Sequence, residues 1–125
     1  MALHPTSAPE FDSILNSNTY LMVDFTATWC PPCRMIGPVF EKLAEQYSIP
    51  GHLAFAKVDV DEAREVAERY GITAMPTFMF FKEGQRVAVN GAAEIKGASP
   101  PGITAAAEKL GALAKARAEG AEGSA

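Results

Sequence analysis

The spacing of apolar residues along the chain changes repeatedly between a helical period and short continuous runs. Helical spacing, with apolar residues every three to four positions, predicts four amphipathic helices. The predicted helices cover residues 7–18, 31–47, 61–70 and 104–118. The apolar runs between them are typical of strands buried on both faces of a sheet, followed by one polar hairpin strand. The predicted strands cover residues 20–25, 53–60, 76–82 and 85–89, with a further short strand at 2–4.

The order of these elements predicts the fold class. Strands that alternate with helices indicate an α/β protein, with a central mixed sheet of four or five strands and about four helices on its two faces. The sheet should be parallel early and antiparallel in the last hairpin, which turns at Glu83 and Gly84. Asp61 is expected to cap the third helix, Gly71 to end it, and Pro38 to kink the second.

A chain of 125 residues fits one domain. We expect this domain to cover residues 1–118 and a flexible tail, rich in Ala, Gly and Glu, to cover 119–125. The net charge of −4 favours neither nucleic acid nor a membrane surface as a partner. The sequence also lacks a secretory signal pattern and a long apolar span, so the expected location is the cytoplasm, and also the nucleus.

The chain has two cysteines, Cys30 and Cys33. A bond between residues three positions apart closes a very small loop and removes little entropy from the unfolded chain, so it is a poor structural staple. Redox chemistry and metal binding are the remaining reasons for the pair. Neither His4 nor His52 is spaced as a ligand pair with the cysteines, and a second pair is absent, which favours redox chemistry over zinc.

The cysteines lie where the first predicted strand gives way to a helix. The N-terminus of a helix favours an anion, so Cys30 is expected to form a stabilised thiolate, with Cys33 one turn further in and shielded. Asp24 interrupts the apolar strand before them, and its burial should raise its pKa unless Lys57 offsets the effect. A structural polar group is the alternative for Asp24, and a surface lysine at a strand end is the alternative for Lys57.

These residues, together with others in the same order, resemble the thioredoxin family over roughly residues 10–110. The resemblance implies the thioredoxin fold. A lone CxxC would be weak evidence for this family, but several further family motifs accompany it here. The matching segments are Asp24-Phe25, Trp29-Cys30, Pro38, Lys57-Val58-Asp59-Val60-Asp61 and Ala74-Met75-Pro76-Thr77.

The resemblance implies a role for each matching side chain. Cys30 would attack a substrate disulfide and form a mixed disulfide, which Cys33 would then resolve. Asp24 would move a proton to or from Cys33 through water, with Lys57 as its buried partner. Pro76 would be cis and packed against the cysteines. The substrate-binding surface around them would consist of Trp29, Ala74, Met75, Pro76, Gly97 and Ala98.

The sequence departs from the family pattern at three places. Pro31 and Pro32 stand where the family usually has Gly-Pro, which removes one N–H and should tune the reduction potential. Thr26 replaces a common aromatic residue. Residues 90–96 look like an insertion, which we expect to lengthen the hairpin and to change one wall of the substrate groove.

The family implies a protein-disulfide reductase without a bound cofactor or metal, supplied with electrons from NADPH through thioredoxin reductase. Its partners would be that reductase and disulfide-containing proteins, and the working form a monomer. An oxidase or isomerase of protein disulfides is an alternative that Pro31 and Pro32 permit. A non-catalytic binding module is another alternative, which the retention of both cysteines disfavours.

Overall fold

Nine elements of secondary structure follow one another in the computed structural model, which describes residues 1–123, the last three by backbone alone. They confirm the α/β fold class and nearly all of the predicted elements. The helices are α1 (Ala8–Ser17), α2 (Pro31–Tyr47), α3 (Arg64–Arg69) and α4 (Pro100–Gly123). The strands are β1 (Tyr20–Thr26), β2 (Leu53–Asp59), β3 (Thr77–Lys82), β4 (Gln85–Val87) and β5 (Glu94–Lys96).

Strand β1 lies inside the sheet, with β2 on one side and β3 on the other. It runs parallel to β2 through the crossover helix α2, and antiparallel to β3. Strands β4 and β5 both pair antiparallel with β3, along successive parts of its outer edge. The sheet is therefore mixed, parallel early and antiparallel in the last hairpin, as the sequence predicts.

The side chains of β1 alternate between two hydrophobic cores, one on each face of the sheet. Tyr20 and Met22 pack with residues of α2 and α4, whereas Leu21 and Val23 pack with residues of α1 and α3. This explains the continuous apolar run in the sequence, because both faces of the strand are covered by helices. The same alternation places Asp24 on the α2 face of the sheet.

The third helix begins later than the sequence predicts. It starts at Arg64, and its N-cap position is Ala63, so the prediction that Asp61 caps it is wrong. The turn before the helix is stabilised instead by Asp59, whose carboxylate accepts hydrogen bonds from the N–H groups of Asp61 and Glu62 at 2.9 and 3.3 Å. The predicted end of the helix before Gly71 is confirmed, with Gly71 at a φ of +64°.

The last helix is longer than predicted at both ends. It begins at Pro100, because prolines suit the first turn of a helix and the Ser99 hydroxyl accepts a hydrogen bond from the N–H of Gly102 at 3.2 Å. It continues to Gly123, so residues 119–123 of the expected tail extend the helix. Residues 124 and 125 lie outside the described residues.

Two predicted features of the sheet edges take a different form. The short N-terminal strand is a single parallel bridge between Leu3 and Ala56. The segment at 90–96 does not lengthen the β3–β4 hairpin, because its last three residues form β5 and pair with Thr77, Phe78 and Met79. Between β4 and β5 the chain leaves the sheet in a tight turn, which is closed by an antiparallel bridge between Val89 and Ala92. Because β5 pairs with the first half of β3 and β4 with the second half, this turn lies opposite the middle of β3.

Candidate active site

A disulfide joins Cys30 to Cys33 at the start of α2. Cys30 is the N-cap residue of the helix, and its sulfur accepts a hydrogen bond from the N–H of Cys33 at 3.3 Å. A reduced Cys30 in this position would have its thiolate stabilised by the helix dipole and by this amide. The structure thus brings the two cysteines together at the junction that the sequence predicts.

The residues between the cysteines limit how many amides the helix can offer to a thiolate. Pro31 and Pro32 occupy the first two positions of α2, and proline has no N–H. Among the first three helical positions, only Cys33 therefore provides a donor. Both prolines are exposed to solvent. Their replacement of Gly-Pro therefore changes the electrostatics around Cys30 and does not change the packing of the buried core.

In the disulfide form both cysteines are nearly covered. Cys30 is 4% exposed and Cys33 is 3% exposed, so exposure does not separate an outer from an inner sulfur as the sequence suggested. Their surroundings differ instead. Cys30 lies between the exposed Trp29 and Pro31, whereas Cys33 lines a cavity of about 500 Å³ that is open to solvent.

Two distant loops meet the cysteines at the edge of the sheet. The Met75–Pro76 peptide bond is cis, as the resemblance implies, and the Met75 carbonyl oxygen lies 3.6 Å from the Cys30 sulfur. The N–H of Gly97 donates a hydrogen bond to the Pro76 carbonyl at 2.9 Å, and its φ of +94° suits glycine. Ala74 and Ala98, on these two loops, are exposed.

Trp29 lies on the surface beside Cys30, with 61% of its area exposed. Its indole N–H donates a hydrogen bond to the Asp61 carboxylate at 2.8 Å, a contact that sequence reasoning missed by assigning Asp61 to the cap of the third helix. A signal for it was present. Trp29 follows β1 and Asp61 follows β2, and parallel neighbouring strands end at the same edge of a sheet.

Asp24 is completely buried beneath this surface. Among the described residues, neither of its carboxylate oxygens has a hydrogen-bond partner. Burial raises the pKa of Asp24 from 3.8 to about 7, and the positive charge of Lys57 opposes part of this shift. The sequence predicted a raised pKa unless Lys57 offsets the effect of burial, and here Lys57 offsets only part of it. A carboxyl group with a pKa near neutrality can exchange a proton under ordinary conditions.

Lys57 is the neighbour of Asp24 across the β1–β2 pair. It is half-buried, and no hydrogen bond joins the two side chains, so Lys57 acts on Asp24 through its charge rather than as a hydrogen-bonded ion pair. Lys57 also lines the cavity of about 500 Å³ beside Cys33. The walls of this cavity are formed by His4, Thr26, Ala27, Thr28, Cys33, Arg34, Gly37, Pro38, Glu41, Lys57 and Asp59.

Residues 1–123 contain no cluster of three or more His, Cys, Asp or Glu side chains that could hold a metal ion. Within the same residues, every helix is too short or too polar to cross a membrane.

The fold and the paired cysteines define a dithiol–disulfide oxidoreductase. The sequence model of the thioredoxin family matches residues 2–102. The chain is 60% identical to a thioredoxin-like protein of Fusarium culmorum over 97% of this chain and all of that protein. It is 50% identical to a thioredoxin of Neurospora crassa, over 94% of this chain and 93% of that one.

Solved structures agree with the sequence comparison. The structure of Plasmodium falciparum thioredoxin superposes with a TM-score of 0.77 at 40% identity, and covers 86% of this chain and 98% of that one. A thioredoxin of Malassezia sympodialis superposes with a TM-score of 0.74 at 38% identity, over 88% and 93% of the two chains. The chain belongs to the thioredoxin family and is a protein-disulfide reductase that works by dithiol–disulfide exchange.

Proposed function

We propose that Cys30 is the nucleophile of this reductase and that Cys33 is the resolving thiol. The Cys30 thiolate attacks one sulfur of a substrate disulfide and releases the other as a thiolate. The Cys33 thiolate then attacks the Cys30 sulfur, which releases the reduced substrate and leaves the Cys30–Cys33 disulfide. Two electrons pass to the substrate, and its two sulfurs take up two protons. The N-cap position of Cys30, beside the Met75 carbonyl, is the observation that carries this assignment.

Asp24 is the proposed proton acceptor for Cys33. The thiol must lose its proton before it can resolve the mixed disulfide, and a carboxylate with a pKa of about 7 can accept that proton at neutral pH. Asp24 also lies on the face of the sheet covered by α2, the helix that carries Cys33. Lys57 keeps part of the Asp24 population ionised, because its positive charge lowers the Asp24 pKa.

Substrates are proposed to lie across the surface around Cys30 as extended segments of disulfide-containing proteins. Trp29 supplies an exposed apolar face beside the nucleophile, held by its bond to Asp61. The cis-proline loop supplies backbone groups for strand-like hydrogen bonds to such a segment. The residues proposed to contact substrate are Trp29, Ala74, Met75, Pro76, Gly97 and Ala98.

The electrons are proposed to come from NADPH through thioredoxin reductase, with the chain acting as a monomer in the cytoplasm and the nucleus. Pro31 and Pro32 favour a reductant over an oxidase or isomerase. A strong oxidant needs a reduced form that is unusually stable, whereas here one amide supports the Cys30 thiolate. Equilibration in thiol buffers should therefore give a potential below about −260 mV. A potential above the cytosolic glutathione range would favour the oxidase or isomerase.

The assignment of the cysteines is tested by two matched serine variants. A Cys33→Ser protein should form a stable mixed disulfide with a protein substrate such as insulin, because its resolving thiol is missing. A Cys30→Ser protein should form none and should lose disulfide reduction. Mass spectrometry of the trapped species identifies the bonded cysteine. Reduction at the wild-type rate by Cys30→Ser, or trapping through Cys33 in that variant, would contradict the assignment.

A further inference from the structure

The first residues of the chain lie along the outer edge of β2, beside the active site. We call Ala2–His4 the N-terminal strap. At its centre, the N–H of Leu3 donates a hydrogen bond to the Phe55 carbonyl at 2.8 Å, and the Leu3 carbonyl accepts one from the N–H of Lys57, also at 2.8 Å. The strap is thus bonded directly to the backbone of the residue whose charge acts on Asp24.

The two ends of the strap are held by other elements. The N–H of Ala2 donates a hydrogen bond to the Glu41 carboxylate on α2 at 3.1 Å. At the other end, the Nε2 atom of His4 lies 2.8 Å from a carboxylate oxygen of Glu62, in the turn before α3. The strap is therefore held at three places. It runs along the outer edge of β2, and its ends are bonded to α2 and to the turn before α3.

The strap forms part of the wall of the cavity that also contains Cys33 and Lys57. His4 contributes its side chain to this wall, whereas Asp24 lies behind it and does not line the cavity. The cavity is open to solvent and Lys57 is only half-buried in it, whereas Asp24 is fully buried, so loss of the strap would expose Lys57 further before it exposed Asp24. The other charged side chains that face Lys57 across the cavity are Arg34, Glu41 and Asp59.

We propose that the N-terminal strap is a positioning element for the resolving step: it confines Lys57 beside the cavity, so that the ammonium group stays within electrostatic reach of the Asp24 carboxylate. The inference rests on the proposed role of Asp24 as proton acceptor. What is new is that a segment far from the cysteines in sequence supports this role by positioning Lys57, although it contacts neither sulfur atom.

Release of the strap should change the pKa of Asp24 in a predictable direction. Lys57 would lose the backbone partner of its N–H and one wall of its surroundings, so its side chain would extend into water, where its charge is screened. Asp24 would stay buried, because β3 and α2 still cover it. The desolvation that raises the Asp24 pKa would remain, while the opposing effect of Lys57 would weaken, so the Asp24 pKa should rise.

The test compares two strap variants with a control in the oxidised protein. Leu3→Pro removes the N–H that bonds to Phe55, and deletion of residues 2–4 removes the strap altogether, so the second variant serves if the first does not fold. The control is Thr6→Ala, which removes a hydroxyl bonded to Glu10 just beyond the strap and away from the cavity. The Asp24 carboxyl carbon is titrated by NMR in each protein.

The strap variants should raise the Asp24 pKa by about 0.5 or more, and Thr6→Ala should leave it unchanged. At pH 7 the rate of the resolving step should then fall about twofold, with recovery at pH 9, where Asp24 is ionised in every variant. An unchanged or lowered Asp24 pKa in both strap variants would overturn the proposal. The role of Asp24 itself is tested separately: Asp24→Asn with a wild-type resolving rate would refute that role, whatever the strap does to the titration.

Discussion

Replacement of Asp24 by asparagine should stabilise the oxidised protein in a strongly pH-dependent manner. The carboxyl group is fully buried without a hydrogen-bond partner among the described residues, and its pKa is raised from 3.8 to about 7. Each unit of pKa corresponds to about 1.4 kcal/mol, so ionisation of Asp24 costs the folded state about 4 kcal/mol relative to the unfolded chain. Asparagine has nearly the same shape and does not ionise, so it avoids this cost.

The sign of the pH dependence follows from the two pKa values. Because the folded protein binds the Asp24 proton more tightly than the unfolded chain, the free energy of unfolding of the wild type should fall as the pH rises from about 4 to about 7 and then level off. Asp24→Asn should therefore match the wild type near pH 4 and be more stable by up to about 4 kcal/mol at pH 8.

Urea unfolding of the oxidised proteins at several pH values measures this difference directly. Glu45→Gln is the matched control, because Glu45 is an exposed carboxylate on α2 and should give no comparable gain at either pH. Equal stabilisation by Asp24→Asn at pH 4 and pH 8 would refute the argument from ionisation. No stabilisation at pH 8 would refute the argument from burial.

Three further predictions concern Trp29 beside the nucleophile, Pro31 at the start of α2, and the packing of α4. Trp29→Phe keeps the aromatic face but loses the indole N–H, so reduction of a protein disulfide should slow about fivefold, whereas an unchanged rate would show that the bond does not orient the ring. Pro31→Gly restores an amide at the start of α2 and should make the reduction potential less negative; a more negative value in thiol buffers would contradict this. Gly111→Ala places a Cβ 2.7 Å from the Tyr47 ring and should cost about 1–2 kcal/mol in urea unfolding. Gly120→Ala, in an open part of the same helix, should instead gain up to about 1 kcal/mol, and a similar loss at both glycines would refute the packing argument.

The sequence predicted the parts of the site that depend on neighbouring residues. The apolar run ending at Phe25 and the helical spacing after Pro31 placed the cysteines at a strand–helix junction, and the structure confirms it. The start of α3 was predicted less well, because it depends on which partner the Asp61 side chain finds in the folded protein. Asp61 had the right residue type for a cap, but its carboxylate binds Trp29, 32 positions earlier in the chain.

The sequence alone determined the fold class, the family and the reactive pair, because these follow from local periodicity and from motifs of adjacent residues. Only the tertiary structure placed the Asp61 carboxylate on the Trp29 indole and the Glu41 carboxylate on the N–H of Ala2, contacts across 32 and 39 positions of the chain. Such contacts depend on strand register and on the packing of loops at one edge of the sheet. Neither leaves a periodic signal in the sequence, since register is settled by the whole set of side chains that share the two cores.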